Sequence, residues 1–137
     1  MNFKGKTILV VDDDPDVVKV LDQTLSSRGA AVHTAADGVA AIEVAKGAPP
    51  DLVILDMMLP KRGGLLVLER LKRRPPGDKV PYVIMITANE GVRHRTYAES
   101  LGVDAYINKP FRMSRLLGKV RELLTPEDKK DNNSEEK

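Results

Sequence analysis

The sequence predicts an α/β fold in which five parallel strands form one sheet covered by helices on both faces. Three observations carry that expectation. Short apolar runs alternate with helical patterns five times along the chain. Three of the runs are apolar at nearly every position, as in strands buried on both faces, and do not alternate as strands with one wet face do. With 137 residues the chain fits one domain of ordinary size. Such a domain buries roughly two thirds of its unfolded surface and needs no metal or disulfide staple.

The runs lie at residues 8–11, 31–35, 52–55, 80–86 and 105–107. After the first, Asp14 can cap a helix and Pro15 can take its first position, where a missing N–H costs nothing. Val17, Val20, Leu21, Thr24 and Leu25 keep one face of that helix, and Gly29 is expected to close it. A second helix is expected over about 38–46, through Ile42 and Ala45. A third starts near Gly64, carries Leu65, Leu68 and Leu71, and is stopped by Pro75-Pro76-Gly77. A fourth, more polar helix is expected over 90–101. The last holds Met113, Leu116, Leu117, Val120, Leu123 and Leu124 on one helical stripe.

This is a (βα)5 pattern. Right-handed crossovers between parallel strands favour an open, doubly wound sheet. The flavodoxin-like strand order 2-1-3-4-5 suits five strands and puts a site at their carboxyl ends, near the switch point between strands 1 and 3. The domain is expected to occupy residues 1–124. Residues 125–137, TPEDKKDNNSEEK, hold no apolar side chain, three bases and five acids, and are expected to form a disordered tail.

Composition removes several function classes. Apolar residues make up 42% and charged residues 31%, a globular profile. The absence of cysteine excludes disulfides, thiolate metal sites and Cys nucleophiles. With no Trp, two Phe and three Tyr, a stacking platform for single-stranded bases is not expected. Runs such as Ile8-Leu9-Val10-Val11 fall far short of the ~20 apolar residues of a membrane span. The opening MNFKGKTILVVDDD places acids where a signal peptide would continue its apolar stretch, so a cytoplasmic protein is expected. Twenty-two bases against twenty acids give a net charge of +2, too little to argue for nucleic acid. The charge is unevenly spread, with four acids in residues 12–16 and eight bases against four acids in 79–124. That basic half is either a solvated surface or a partner-binding face.

The strand rule gathers scattered residues into a constellation. Strand 1 ends in Asp12-Asp13, strand 3 in Asp56, strand 4 in Thr87 and strand 5 in Asn108-Lys109, all at one edge. Any one of these has an ordinary explanation: Asp is a common helix cap, and Asp14 and Asp16 suit the first helix and its dipole. Together they demand more. Two unit charges ~4 Å apart repel by about 4 kcal/mol at an effective dielectric of ~20, so three converging carboxylates need a cation or must take up protons. Oxygen ligands without His or Cys select a hard ion, Mg²⁺ first. A site holding a divalent ion and a lysine is built to receive an anion, with phosphoryl the first choice. An aspartate at the rigid end of a strand, Asp56, can attack phosphorus to form an aspartyl phosphate. Mg²⁺ and Lys109 would neutralise charge on the transferring group. His33 and His94 are expected away from this edge.

The stretches ILVVDDDPDV, DLVILDMMLPKRGG, VIMITA and DAYINKPF, in this order over about residues 5–124, resemble the receiver (CheY-like) domain of bacterial two-component response regulators. The resemblance implies that Asp56 is the phosphoacceptor, charged by a sensor histidine kinase or a histidine phosphotransfer protein. It implies that Asp12, Asp13, Asp56 and the backbone carbonyl of Met58 hold Mg²⁺, and that Lys109 contacts the phosphoryl group. Thr87 would swing its hydroxyl onto that group and Tyr106 would turn inward into the space vacated. The Lys109-Pro110 bond would be cis. The protein would be a single-domain signalling receiver, not an enzyme acting on other molecules, with no direct nucleic-acid binding and no membrane insertion. Output would pass to a downstream protein or along a phosphorelay through the face of helix 4, strand 5 and helix 5, where Arg93, Arg95, Arg112, Arg115, Lys119 and Arg121 suggest an acidic partner.

The chain departs from the family pattern in places. Gly63 stands where an Asp is common. Arg115, Lys119 and Ala105 replace residues that build the salt-bridged dimer of winged-helix regulators. Met58 and Asn89 flank the path of attacking water, so an apolar Met58 is expected to shield the phosphate.

Three alternatives compete. A haloacid-dehalogenase-type phosphatase would use Asp12 as nucleophile and Asp14 as acid, but Asp16 stands where that motif usually has Thr or Val. A flavin module shares the expected architecture, but Asp12-Asp13-Asp14 would repel the flavin phosphate. A receiver fold could also serve as a phosphorylation-independent docking module.

Overall fold

The computed structural model describes residues 2–61, 63–88 and 91–125. Strands β1 (Thr7–Val11), β2 (Ala31–Ala35), β3 (Leu52–Asp56), β4 (Tyr82–Thr87) and β5 (Ala105–Asn108) alternate with helices α1 (Pro15–Ser26), α2 (Gly38–Gly47), α3 (Gly64–Lys72), α4 (Val92–Ser100) and α5 (Met113–Leu124). All strand pairs are parallel, in the expected order β2-β1-β3-β4-β5.

The unbroken apolar runs are explained by two cores, one on each face of the sheet. Leu9, Val11, Val53, Leu55, Val83 and Met85 face a core completed by α2, α3 and Ala98 of α4. Their neighbours Ile8, Val10, Ile54, Ile84, Ile86 and Ile107 face the other, completed by α1 and α5. Because successive strand side chains point to opposite faces, the three central strands have no position that tolerates a polar residue until the sheet ends. β2, at the edge, is accordingly the strand with most of its residues exposed.

The caps follow the sequence. Asp14 accepts the Asp16 N–H at 3.0 Å with Pro15 leading α1, and Asp37 accepts the Ala40 N–H at 2.8 Å at the start of α2. Most strand and helix ends fall within a residue of expectation; three differences have a plain local cause. α1 stops at Ser26, and Gly29, at φ +96°, serves the turn beyond it, where a left-handed backbone leads into β2. α3 ends at Lys72, short of Pro75, because the residue before a proline is pushed out of the helical region. β4 begins at Tyr82, not at residue 80: Pro81 has no N–H to give the ladder, and Tyr82 is the first residue in register, opposite Leu52. The expected start of the fourth helix at Glu90, the position Asn89 and the expected tail from 126 onward lie outside the described residues. No described helix is long and apolar enough to cross a membrane.

Candidate functional site

The carboxyl edge of the sheet continues past the strand ends. The Asp12 N–H donates to the Ala35 carbonyl, the Met57 N–H to Ile86 and the Lys109 N–H to Thr87, at 3.2, 3.0 and 2.8 Å. These bonds fix the backbone on which the polar side chains stand, so their placement is set by the sheet and not by free loops.

Asp12, Asp13 and Asp56 come together as expected, each offering a carboxylate oxygen within 4.8 Å of the others. Asp12 and Asp56 are buried and Asp13 is exposed. Asp12 Oδ1 accepts the Asp14 N–H at 2.9 Å, and Asp56 Oδ1 accepts the Met58 N–H at 3.1 Å. Lys109 reaches over from the end of β5, its Nζ 3.1 Å from Asp12 Oδ2 and 3.6 Å from Asp56 Oδ2. The peptide bond that follows it, Lys109-Pro110, is cis, as expected. Thr87 is fully buried at the end of β4.

The electrostatics are unbalanced. Three carboxylates and one ammonium sum to a charge of −2 when all are ionised. Pairs of such charges at about 5 Å repel by roughly 3 kcal/mol at an effective dielectric of ~20. Burial, with the fields of Asp12 and Asp13, holds the Asp56 carboxyl above the usual range, although the Met58 N–H and Lys109 pull the other way. Lys109 is also raised: burial lowers it, but the hydrogen bond to Asp12 and the charges of Asp12 and Asp56 outweigh that. A divalent cation fits this donor set, since the oxygens are hard, already close, and short of two positive charges.

Around this centre the other expected residues fall into place unevenly. Tyr106, on β5, is partly buried against the core on the α2–α3–α4 face. Its Oη is buried with no hydrogen-bond partner among the described residues, and burial raises the phenol above its usual range despite the nearby Arg95. Arg95 sits over its ring, 5.6 Å from the centroid. Of the six basic residues expected on the helix 4, strand 5, helix 5 face, Arg95, Arg115 and Lys119 line one cavity of about 230 Å³ with Glu99, Asp104 and Tyr106. Arg93, Arg112 and Arg121 do not line it. His33 lies opposite Leu9 on the edge strand β2 and His94 in the first turn of α4, and neither joins the described carboxylate cluster.

Sequence reasoning missed Gly64. A Cβ there would collide with the backbone carbonyl of Asp56 and stand 2.7 Å from Met57 Cα and 2.9 Å from Met57 O. The Gly64 N–H also donates to Met57 O at 2.9 Å, so the first turn of α3 rests on the strand end that carries Asp56. The Gly63-Gly64 pair was the available signal.

Comparison with known proteins points the same way. The profile of the family described as "Response regulator receiver domain" matches residues 8–121. The response regulator MprA of Mycobacterium sp. (strain KMS) is 41% identical over 117 residues, 85% of this chain and 50% of the relative. MprA of Mycobacterium avium (strain 104) is 40% identical over 124 residues, 88% of this chain and 53% of the relative. The chain thus spans about half the length of these curated relatives. Among solved structures, a CheY-like receiver domain protein from Methanospirillum hungatei superposes with a TM-score of 0.82 at 30% identity, over 91% of this chain and 98% of that one.

Proposed function

Because this chain belongs to the response regulator receiver family, a signalling family of two-component systems, we propose that it is switched by phosphoryl transfer onto Asp56. The donor is a phosphohistidine on a sensor kinase or a phosphotransfer protein. An Asp56 carboxylate oxygen attacks phosphorus, the P–N bond to the donor imidazole breaks, and an acyl phosphate forms. The observation that carries this reading is the convergence of Asp12, Asp13 and Asp56 beside Lys109 at the carboxyl edge of the sheet.

Each residue has a task. Asp12, Asp13 and Asp56, with the backbone carbonyl of Met58, would hold Mg²⁺, which supplies positive charge against the oxygens of the transferring group. Lys109 stays protonated and contributes a fixed ammonium at the same place, so the anion arrives at prepaired charge instead of bare carboxylates. The Met58 N–H orients the Asp56 carboxylate. Thr87 contacts the phosphoryl group, and Tyr106 reports the change to the surface between α4 and α5.

A protein that exists in two arrangements shifts toward whichever one the phosphate contacts better. The α4–β5–α5 face is the readout, offered to a downstream protein, a phosphorelay partner or the rest of a longer regulator. We place the protein in the cytoplasm, where such kinases deliver phosphate. The domain proper is residues 1–124.

Intact-mass measurement after incubation with acetyl phosphate, or with a phosphorylated histidine domain, tests this. One added phosphoryl group requiring both Mg²⁺ and Asp56 is expected; Asp56→Ala should gain none. No addition from either donor would overturn the reading and favour a receiver fold used only for docking.

A further inference from the structure

At the amino edge of the sheet, opposite the carboxylate cluster, α2 and α3 end side by side. A cavity of about 500 Å³ lies between their last turns and the loop after α3, lined by Lys46, Arg70, Arg73 and Arg74 with one acid, Asp78. A second hollow of about 440 Å³ shares Lys46, Arg74 and Asp78 with it.

The ordinary role of such bases is to offset helix dipoles. Each helix C-terminus carries about half a negative charge, so two ends call for about one cation. Four are present. Arg73 is taken by Glu69 at 3.2 Å, and Lys46 lies 4.0 Å from Glu43. Arg70 and Arg74 form no ion pair with any described residue, and Asp78 pairs with neither. Arg74 also has its Nε buried without an acceptor among the described residues. A buried guanidinium N–H without a partner is a costly arrangement that an anion oxygen would relieve.

The rest of the lining is apolar: Ile42, Leu71 and Pro75. A concave hollow of this size, apolar with convergent charges, has the form of a small-molecule site and not of a flat surface for a macromolecule. We propose that this cavity binds a small phosphorylated organic anion, with Arg70 and Arg74 on the phosphate oxygens and Ile42, Leu71 and Pro75 against the organic body. The planar guanidinium fork matches phosphate geometry better than a lysine would.

Calorimetric titration of the full chain with adenosine diphosphate and with pyrophosphate tests the proposal. A chelator is present throughout, so that the carboxylate cluster repels both probes. Adenosine diphosphate is expected to bind more tightly than pyrophosphate and to weaken roughly tenfold or more in Arg70→Gln and in Arg74→Gln. Affinity should be unchanged in Asp56→Asn. Arg70 is exposed, so its variant keeps the fold, and a melting curve matching wild type verifies this. Absence of binding by either probe at millimolar concentration overturns the proposal. So does binding indifferent to both arginine variants. Equal affinity for the two probes overturns the role of the apolar wall.

Discussion

Asp56 is the residue at which stability and function conflict. It is buried, its field is dominated by other carboxylates, and its carboxyl is held above the usual range chiefly by burial. A group whose folded pKa is raised favours the folded state below its unfolded value and loses that contribution as pH rises through the folded value. Asp56→Asn keeps an acceptor for the Met58 N–H and removes the charge. In chelator at neutral pH this variant should be more stable than wild type by about 1 kcal/mol. The gap should close as pH falls and Asp56 protonates. Urea melts of both proteins across the carboxylate range measure it; a gap that widened toward acid would refute the electrostatic account. Two residues on, Met58 is 62% exposed at the mouth of the site, an apolar side chain with little reason to be in water. With a phosphoryl group on Asp56, as proposed, this side chain would shield it from attacking water, so Met58→Asn should shorten the phosphate lifetime several-fold. Decay of the phosphorylated mass over time reads this directly, and equal rates would contradict it.

At the scale of elements, α3 is the support of the strand end that carries Asp56. Gly64 has no room for a Cβ, and the atoms in the way are backbone, which cannot swing aside. Gly64→Ala should therefore cost about 2 kcal/mol and slow phosphorylation by displacing the Asp56–Met58 turn. Melting and a phosphorylation time course test both; a variant as stable and as fast as wild type would contradict the packing. The elements differed in how plainly the sequence showed them. Strands covered on both faces write themselves as unbroken apolar runs, and Asp14-Pro15 marks the start of α1 by local chemistry alone. Gly64 was not legible in the same way, because its constraint comes from a strand eight residues earlier. The same holds for Asp51, whose carboxylate ties the Thr7 N–H and Lys79, both at 2.7 Å, and for Asp104, which accepts from Val83 N–H at 2.8 Å and Lys72 at 2.7 Å. These tie strand starts to distant elements, and only the topology brings the partners together. The Asp51–Lys79 pair holds the Asp51 carboxyl below the usual range although burial opposes this.

At the scale of the whole molecule, the described residues concentrate net charge of opposite sign in different places. Acids collect at the carboxyl ends of β1 and β3, and bases around the amino edge and the α4–β5–α5 face. The site was legible in the sequence because the strand rule alone sends Asp12, Asp13, Asp56, Thr87 and Lys109 to one edge. Six bases were expected on the α4–β5–α5 face; that Arg95, Arg115 and Lys119 converge on one cavity there was not legible, because it depends on how α4 and α5 turn. If this face docks an acidic protein, as proposed, that affinity should fall as salt rises and fall further in Arg95→Ala and Arg115→Ala. A titration indifferent both to salt and to loss of the arginines, Arg112 included, would rule out an acidic partner surface.

The central claim is that this carboxylate cluster receives phosphate on one particular aspartate. The most direct test is to phosphorylate the protein in Mg²⁺, reduce the acyl phosphate with borohydride to the corresponding alcohol, and map the altered residue by peptide mass. The account predicts reduction at Asp56 alone. Reduction at Asp12, as a phosphatase of the haloacid-dehalogenase type would give, or at no aspartate, would contradict it.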